Sequence, residues 1–251
     1  MDCCPEPLLL SIETATPCSS VALTRGDRRT GTVIASLDMG GNVSHSRRLL
    51  SIISQLMEES FLDWHLIDGI CVGLGPGSFT GLRIGMATAK GLAVAAEKPL
   101  FGVSVLDGLA SKCCTDRLIC AVVDARKKEV YTSLYRCSDK GLSERVSEIV
   151  VVKPDRLAGG IEEPVLMVGD GVRAYGDIFR TLLAEEVIFA PAQLHVPSAV
   201  SIGLLGAEMF VAGDELDVVE AVPLYVRSSD AELNLLQKKK KNAAGKEVAG
   251  R

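Results

Sequence analysis

The stretch that most constrains this chain is residues 73–85, Gly-Leu-Gly-Pro-Gly-Ser-Phe-Thr-Gly-Leu-Arg-Ile-Gly. Three glycines and a proline fall within its first five residues, which forces a tight turn. Before the turn, residues 67–72 (Ile-Asp-Gly-Ile-Cys-Val) read as a buried strand; after it, residues 84–96 read as a helix. Ser78 or Thr80 can cap that helix. A turn of this kind either holds an anion on free N–H groups or simply joins strand to helix. It is not a Walker A loop, because the Gly-Lys-Ser/Thr ending is missing. The helix is nearly all apolar or small, with Arg83 and Lys90 forming one charged edge. Such a helix is buried on most sides. Gly85, Ala89, Gly91 and Ala93 leave room for a second backbone, so the expectation is packing on its own sheet and against something else.

With 251 residues, 47% hydrophobic and 24% charged, the chain has a globular composition, long enough for one large domain or two small ones. Aromatics make up 4%, which leaves little for stacking on bases. Charge is uneven. Residues 238–251 carry six basic groups against Glu247, so this tail is +5 and the rest of the chain is −10. An acidic body does not favour a phosphate backbone. The basic run Lys238, Lys239, Lys240 and Lys241 reads as a solvated tail that can also touch RNA phosphates. Eight cysteines include no Cys-x-x-Cys, so neither a zinc site nor a disulfide scaffold follows. No basic start precedes an apolar run, and no apolar run is long enough to cross a bilayer. The expectation is a reducing, cytoplasmic setting without membrane attachment.

Along the chain, strands are expected at residues 8–12, 20–24 and 32–37. A helix follows over about 44–60, capped by Ser44. Its Leu49, Leu50, Ile52, Ile53, Leu56 and Met57 cover an arc of roughly 160° at about 100° per residue, wider than a minimal core-facing stripe. After the glycine turn and its helix come a strand at 100–104 and a short helix at about 106–114. The second half repeats the order: strands at 118–124, 130–136 and 144–152, then a short helix or turn at 154, a strand at 165–168, a helix at 172–184, a strand at 187–190 and a helix at 199–212. An ordered extension at 223–227 and a disordered tail end the chain. This predicts an α/β protein of two similar lobes, each opening with a β-β-β unit followed by helices: residues 1–115, residues 116–232, and a basic tail at 233–251. Each half's first strand ends in an acid, Glu13 and Asp124. Facing each other across a cleft, these acids could hold Mg²⁺ and nucleotide phosphates (ATP or ADP); equally, each could only satisfy nearby backbone N–H groups.

Several blocks together resemble the TsaB (YeaZ) family: Ile12-Glu13-Thr14-Ala15-Thr16, His45-Ser46 with Leu49-Leu50, the whole of 73–85, Ala87-Thr88-Ala89-Lys90-Gly91-Leu92-Ala93, Gly102-Val103-Ser104, Asp124-Ala125-Arg126 with Glu129-Val130-Tyr131, and Pro223-Leu224-Tyr225-Val226-Arg227. The match covers most of residues 8–232. The resemblance implies the actin-like, Hsp70-like (ASKHA) fold. It also implies a subunit of the bacterial threonylcarbamoyladenosine tRNA-modification machinery. The family's catalytic paralogue, TsaD, carries a metal-holding His-x-x-x-His pair. By register after Gly102-Val103 those positions here are Val105 and Leu109, and apolar side chains cannot ligate a metal. His45, His65 and His195 lack such spacing, and His45 reads as a cap or a packed side chain. Glu13 stands where the family commonly has Asp.

The reading is a non-catalytic subunit with no metal, no catalytic residue and no required cofactor. It is expected to pair with a TsaD-type transferase and, with a TsaE-type ATPase, to support threonylcarbamoyl transfer to the adenosine beside the tRNA anticodon. The expected partner surface is the helices at 44–60 and 79–96, through Leu49, Ile53, Leu56, Gly85, Ala89 and Ala93. Alone, the same surface could form a homodimer. The alternative is a stand-alone enzyme, a glycoprotease-type peptidase or a small-molecule kinase. Ser78 lacks the Gly-x-Ser-x-Gly pattern, and no convincing phosphate loop accompanies a base.

Overall fold

The computed structural model describes residues 6–40 and 45–227. The expected cap Ser44 and the basic tail lie outside the described residues, as does the end of the expected second lobe.

The first sheet holds β1 (Leu8–Glu13), β2 (Ser19–Arg25), β3 (Thr32–Met39), β4 (Gly69–Gly75) and β5 (Leu100–Ser104), in the order β3-β2-β1-β4-β5. β1 pairs antiparallel with β2 and parallel with β4, so the central strand is flanked on both sides. All six of its residues are buried, as its unbroken apolar run requires. The second sheet holds β6 (Leu118–Arg126), β7 (Glu129–Cys137), β8 (Ser143–Arg145), β9 (Val150–Val152), β10 (Val165–Val168) and β11 (Val187–Phe189). Its order, β11-β10-β6-β7-β8, repeats the first with β9 also on β7. The single strand expected at 144–152 is split. Leu134 N–H, which an unbroken strand would engage, donates to Ser147 Oγ instead (2.9 Å).

Six α-helices lie among the described residues: α1 (His45–Glu59), α2 (Phe79–Ala96), α3 (Val105–Ala110), α4 (Pro154–Gly159), α5 (Gly171–Leu183) and α6 (Ala199–Ala212). α2 starts on Ser78, whose side chain accepts from Gly81 N–H, and ends at Glu97 in the left-handed region, two residues before Pro99. α1 and α2 cover one face of the first sheet, packing Leu49, Ile53, Met86 and Ala89 against Leu10, Ile12 and Val72. α4 and α5 do the same for the second.

The remaining helices change sides, so the expected division at residue 115 is corrected. α3 precedes that boundary but packs on the second sheet, its Val105, Leu106 and Leu109 joining Ile119, Ala121 and Val123. α6 follows the boundary but packs on the first sheet, its Ile202 and Leu205 meeting Cys71, Phe101 and Val103. Each lobe is therefore three layers deep, with one outer layer supplied by the other half of the chain. α3 ends at Ala110 rather than 114. No helix among the described residues is long and apolar enough to cross a membrane.

Candidate functional site

A cavity of about 460 Å³ opens between the lobes. The chain after β1 (Ala15 to Pro17), His45, and the turn entering α2 form one wall; Asp124, Arg126 and Asp170 form the other. The glycine turn is pressed against the end of β1. Ser78 N–H donates to Ala15 O (2.7 Å), and Thr14 Oγ1 donates to Gly81 O (2.9 Å). A Cβ on Gly81 would strike the Thr14 carbonyl oxygen, and one on Gly85 would strike Thr14 Oγ1. The small residues at the start of α2 thus admit the chain's own β1, not a partner. The N–H groups of Ser78 and Gly81 are already taken, which weakens the anion-holding reading of the turn.

The two sequence-selected acids do not face each other. Glu13 is fully buried and does not line the cavity. Its Oε1 accepts from Ala15 N–H (2.5 Å), its Oε2 has no hydrogen-bond partner among the described residues, and Gly73 leaves the space it fills. Burial pushes its pKa up to about 7. Asp124 does line the cavity, but its carboxylate is engaged. Tyr175 Oη (3.1 Å) and Arg126 N–H (2.9 Å) both donate to Oδ1, and Arg126 Nη1 lies 3.3 Å from Oδ2. The acid beside it is Asp170, which the sequence reading missed; its Oδ1 accepts from Asp124 N–H (3.0 Å). Burial, and then the Asp124 charge, raise the Asp170 pKa. A Mg²⁺ cradle built from Glu13 and Asp124 does not fit this arrangement.

A second cluster backs the cleft wall. Arg48 is buried on the inner face of α1 and donates to Ser19 Oγ (2.8 Å), Gly40 O (3.1 Å) and Pro17 O (2.7 Å). Ser19 Oγ, which accepts from Arg48, also shares a hydrogen bond with His45 Nδ1 (2.6 Å). Burial, then the Arg48 charge, lower the His45 pKa. His45 is a packed side chain at the first residue of α1. Arg48 falls four residues before Ile52, on the same arc, a signal the sequence reading passed over.

The extension closes the cleft. Leu224 N–H donates to Leu74 O (2.8 Å) on the first lobe, and Arg227 reaches Glu129 (2.8 Å) and Ala125 O (3.2 Å) on the second. Tyr225 stacks on Phe79 (5.3 Å between centroids), and Arg83 lies over Phe79 (3.9 Å) and donates to Tyr225 Oη (3.1 Å). Lys90 donates to Val219 O (2.9 Å). The charged edge of α2 therefore fastens this strap.

The residues expected on the partner surface need correcting as well. Leu49, Ile53, Leu56, Gly85, Ala89 and Ala93 are all buried within the chain itself. They fill the first lobe's core and are not available to a partner. Leu50, counted in the same arc, points outward at 61% exposure, and Val94 on α2 is 66% exposed. Gly91 faces open space.

A family model described as "TsaD: tRNA N6-adenosine threonylcarbamoyltransferase" matches residues 41–235. The chain is 31% identical to the tRNA threonylcarbamoyladenosine biosynthesis protein TsaB of Escherichia coli, over 89% of this chain and 96% of that protein. It is 32% identical to the protein of the same name from Bacillus subtilis, over 92% and 99%. Among solved structures, YeaZ from Pseudomonas aeruginosa superposes with a TM-score of 0.74 at 27% identity, covering 87% of this chain and 99% of that one. The two-lobed, actin-like fold is shared with these proteins.

Proposed function

The chain belongs to the TsaB family, and on that premise we propose that it serves tRNA threonylcarbamoyladenosine biosynthesis as a non-catalytic subunit. In this reading it pairs with a TsaD-type transferase, works alongside a TsaE-type ATPase, and meets tRNA through the assembly. The observation that carries the proposal is the outer side of α1 and α2. These helices pack on each other, and Leu50, Val94 and the bare Gly91 face outward from them. Exposed apolar side chains beside a glycine that admits close approach suit a helical partner. The buried residues first expected there hold the helices in place behind that surface.

Three further observations support a non-catalytic role. Val105 and Leu109 are fully buried apolar side chains of α3. Ser19 touches a histidine, as a peptidase would need, but it is fully buried and its other partner is Arg48, not an acid. Glu13 stands behind the cleft wall, so a kinase would lack that carboxylate.

The test uses the full chain mixed with a TsaD-type transferase. Leu50→Glu with Val94→Glu should leave a folded protein that no longer co-elutes with the transferase and no longer supports tRNA modification. Retained co-elution would place the contact elsewhere. Turnover of ATP or peptide by the purified chain alone would refute the non-catalytic role.

A further inference from the structure

The connection between α3 and β6 brings cysteines to one end of the second lobe. Cys113 and Cys114 follow α3, and Cys137 is the last residue of β7. The Cys137 thiol donates to the Cys113 carbonyl oxygen (3.7 Å), which places its sulfur beside the peptide leading into Cys114. The neighbouring Cys137 thiol, first by its charge and then by hydrogen bonding, holds the Cys114 thiol above its usual pKa. Cys113 is turned inward, its thiol against Leu109 O, and is buried. Cys114 is exposed and Cys137 half-buried, packed at the edge of the cluster beneath α3. One thiol is thus open to solvent, and a second lies against the carbonyl of the residue before it. Cys71 and Cys120 differ, being fully buried in their sheets.

The geometry points to Cys114 and Cys137 as a redox-active dithiol, which a low-molecular-weight disulfide converts to an intramolecular disulfide. The Cys114 thiolate attacks one sulfur of the small disulfide. That S–S bond breaks, and the leaving half departs as a thiolate that takes up the proton Cys114 lost. The Cys137 thiolate then attacks the Cys114 sulfur, the protein S–S bond forms, and the second small thiol leaves with the proton from Cys137. Two electrons and two protons pass from the protein to the small disulfide, which becomes two thiols. Exposure sets the order, since Cys114 is exposed and Cys137 is half-buried. The new bond adds a covalent tether where α3 already docks on this sheet, through Asp107 accepting from Tyr135 Oη (2.8 Å) and Arg145 (2.6 Å).

The experiment incubates the full chain with oxidised glutathione, alkylates the remaining thiols and maps the peptides. The expected result is one linked pair, Cys114 with Cys137, reversed by reductant. Cys114→Ser should abolish the link, and Cys137→Ser should trap glutathione on Cys114. Cys114 and Cys137 both remaining alkylatable in the wild-type chain would overturn the inference. So would a link formed by Cys113 in place of Cys114. The wild-type map decides the matter even where a variant fails to fold.

Discussion

Replacing Glu13 by Gln should make the first lobe more stable relative to wild type as the pH is raised, and the size of the effect follows from burial. In the unfolded chain Glu13 ionises near the ordinary 4.5; in the fold its carboxyl stays protonated to about 7. Between those values the folded state binds the extra proton, so wild-type stability is full below 4.5 and is lost as pH rises toward 7. A shift from 4.5 to about 7 corresponds to about 3 kcal/mol at 1.36 kcal/mol per unit. The Gln variant keeps an oxygen to accept from Ala15 N–H and cannot ionise. Its stability minus that of wild type should therefore grow by about 3 kcal/mol between pH 4.5 and pH 8 and level off above that. Other titrating groups cancel in this difference. Trp64, the chain's one tryptophan, packs against the first lobe's core and reports that lobe's urea transition by fluorescence. With a denaturant slope of about 3 kcal/mol per molar, the midpoint gap should widen by about 1 M urea. A gap constant from pH 4.5 to pH 8 would mean that the carboxyl ionises as it does in water, and would refute the buried, neutral Glu13.

Further predictions test the helix packing. Ala89→Arg buries a charge in the first lobe's core and should cost on the order of 5 kcal/mol, seen as lost soluble, helical protein by circular dichroism; a folded variant would show that Ala89 is not enclosed. Gly85→Ala forces a methyl onto Thr14 and should destabilise by about 1–3 kcal/mol. Gly91→Ala, in open space on the same helix, should stabilise by about 1 kcal/mol; equal thermal melting points for the two would contradict the close approach of β1 to α2.

How much could be read beforehand differs from element to element. β1 was legible because a central strand covered on both faces is an unbroken apolar run, and the two halves were legible because their strand order repeats. The small residues of α2 were seen but assigned to a partner. A glycine shows that something approaches closely, not what approaches, and here it is Thr14. In the same way, the largely apolar α6 announces burial without naming the sheet it covers. Glu13 and Asp124 lie at or near the ends of equivalent strands and look alike in sequence, yet one is enclosed and the other lines the cleft. That difference depends on depth below the surface, which strand position does not encode. The strap's anchors, Arg83, Lys90 and Arg227, each join elements far apart in the chain, so no local pattern marks them.

The exchange of α3 and α6 also bears on how the chain is made. The first lobe's sheet is finished when Ser104 has been added, but the helix that covers its second face ends only at Ala212. At roughly 5–20 residues per second, that face waits about 5–20 s for its cover during synthesis. For that interval Cys71, Phe101 and Val103 face solvent or a chaperone instead of α6. A chain cut after residue 115 would remain in this state permanently, with α3 equally deprived of the sheet it packs on. The nascent chain therefore cannot finish its lobes in the order in which they begin. Every strand and α-helix that packs on the second sheet is present once Phe189 is made, whereas the first lobe is complete only with Ala212.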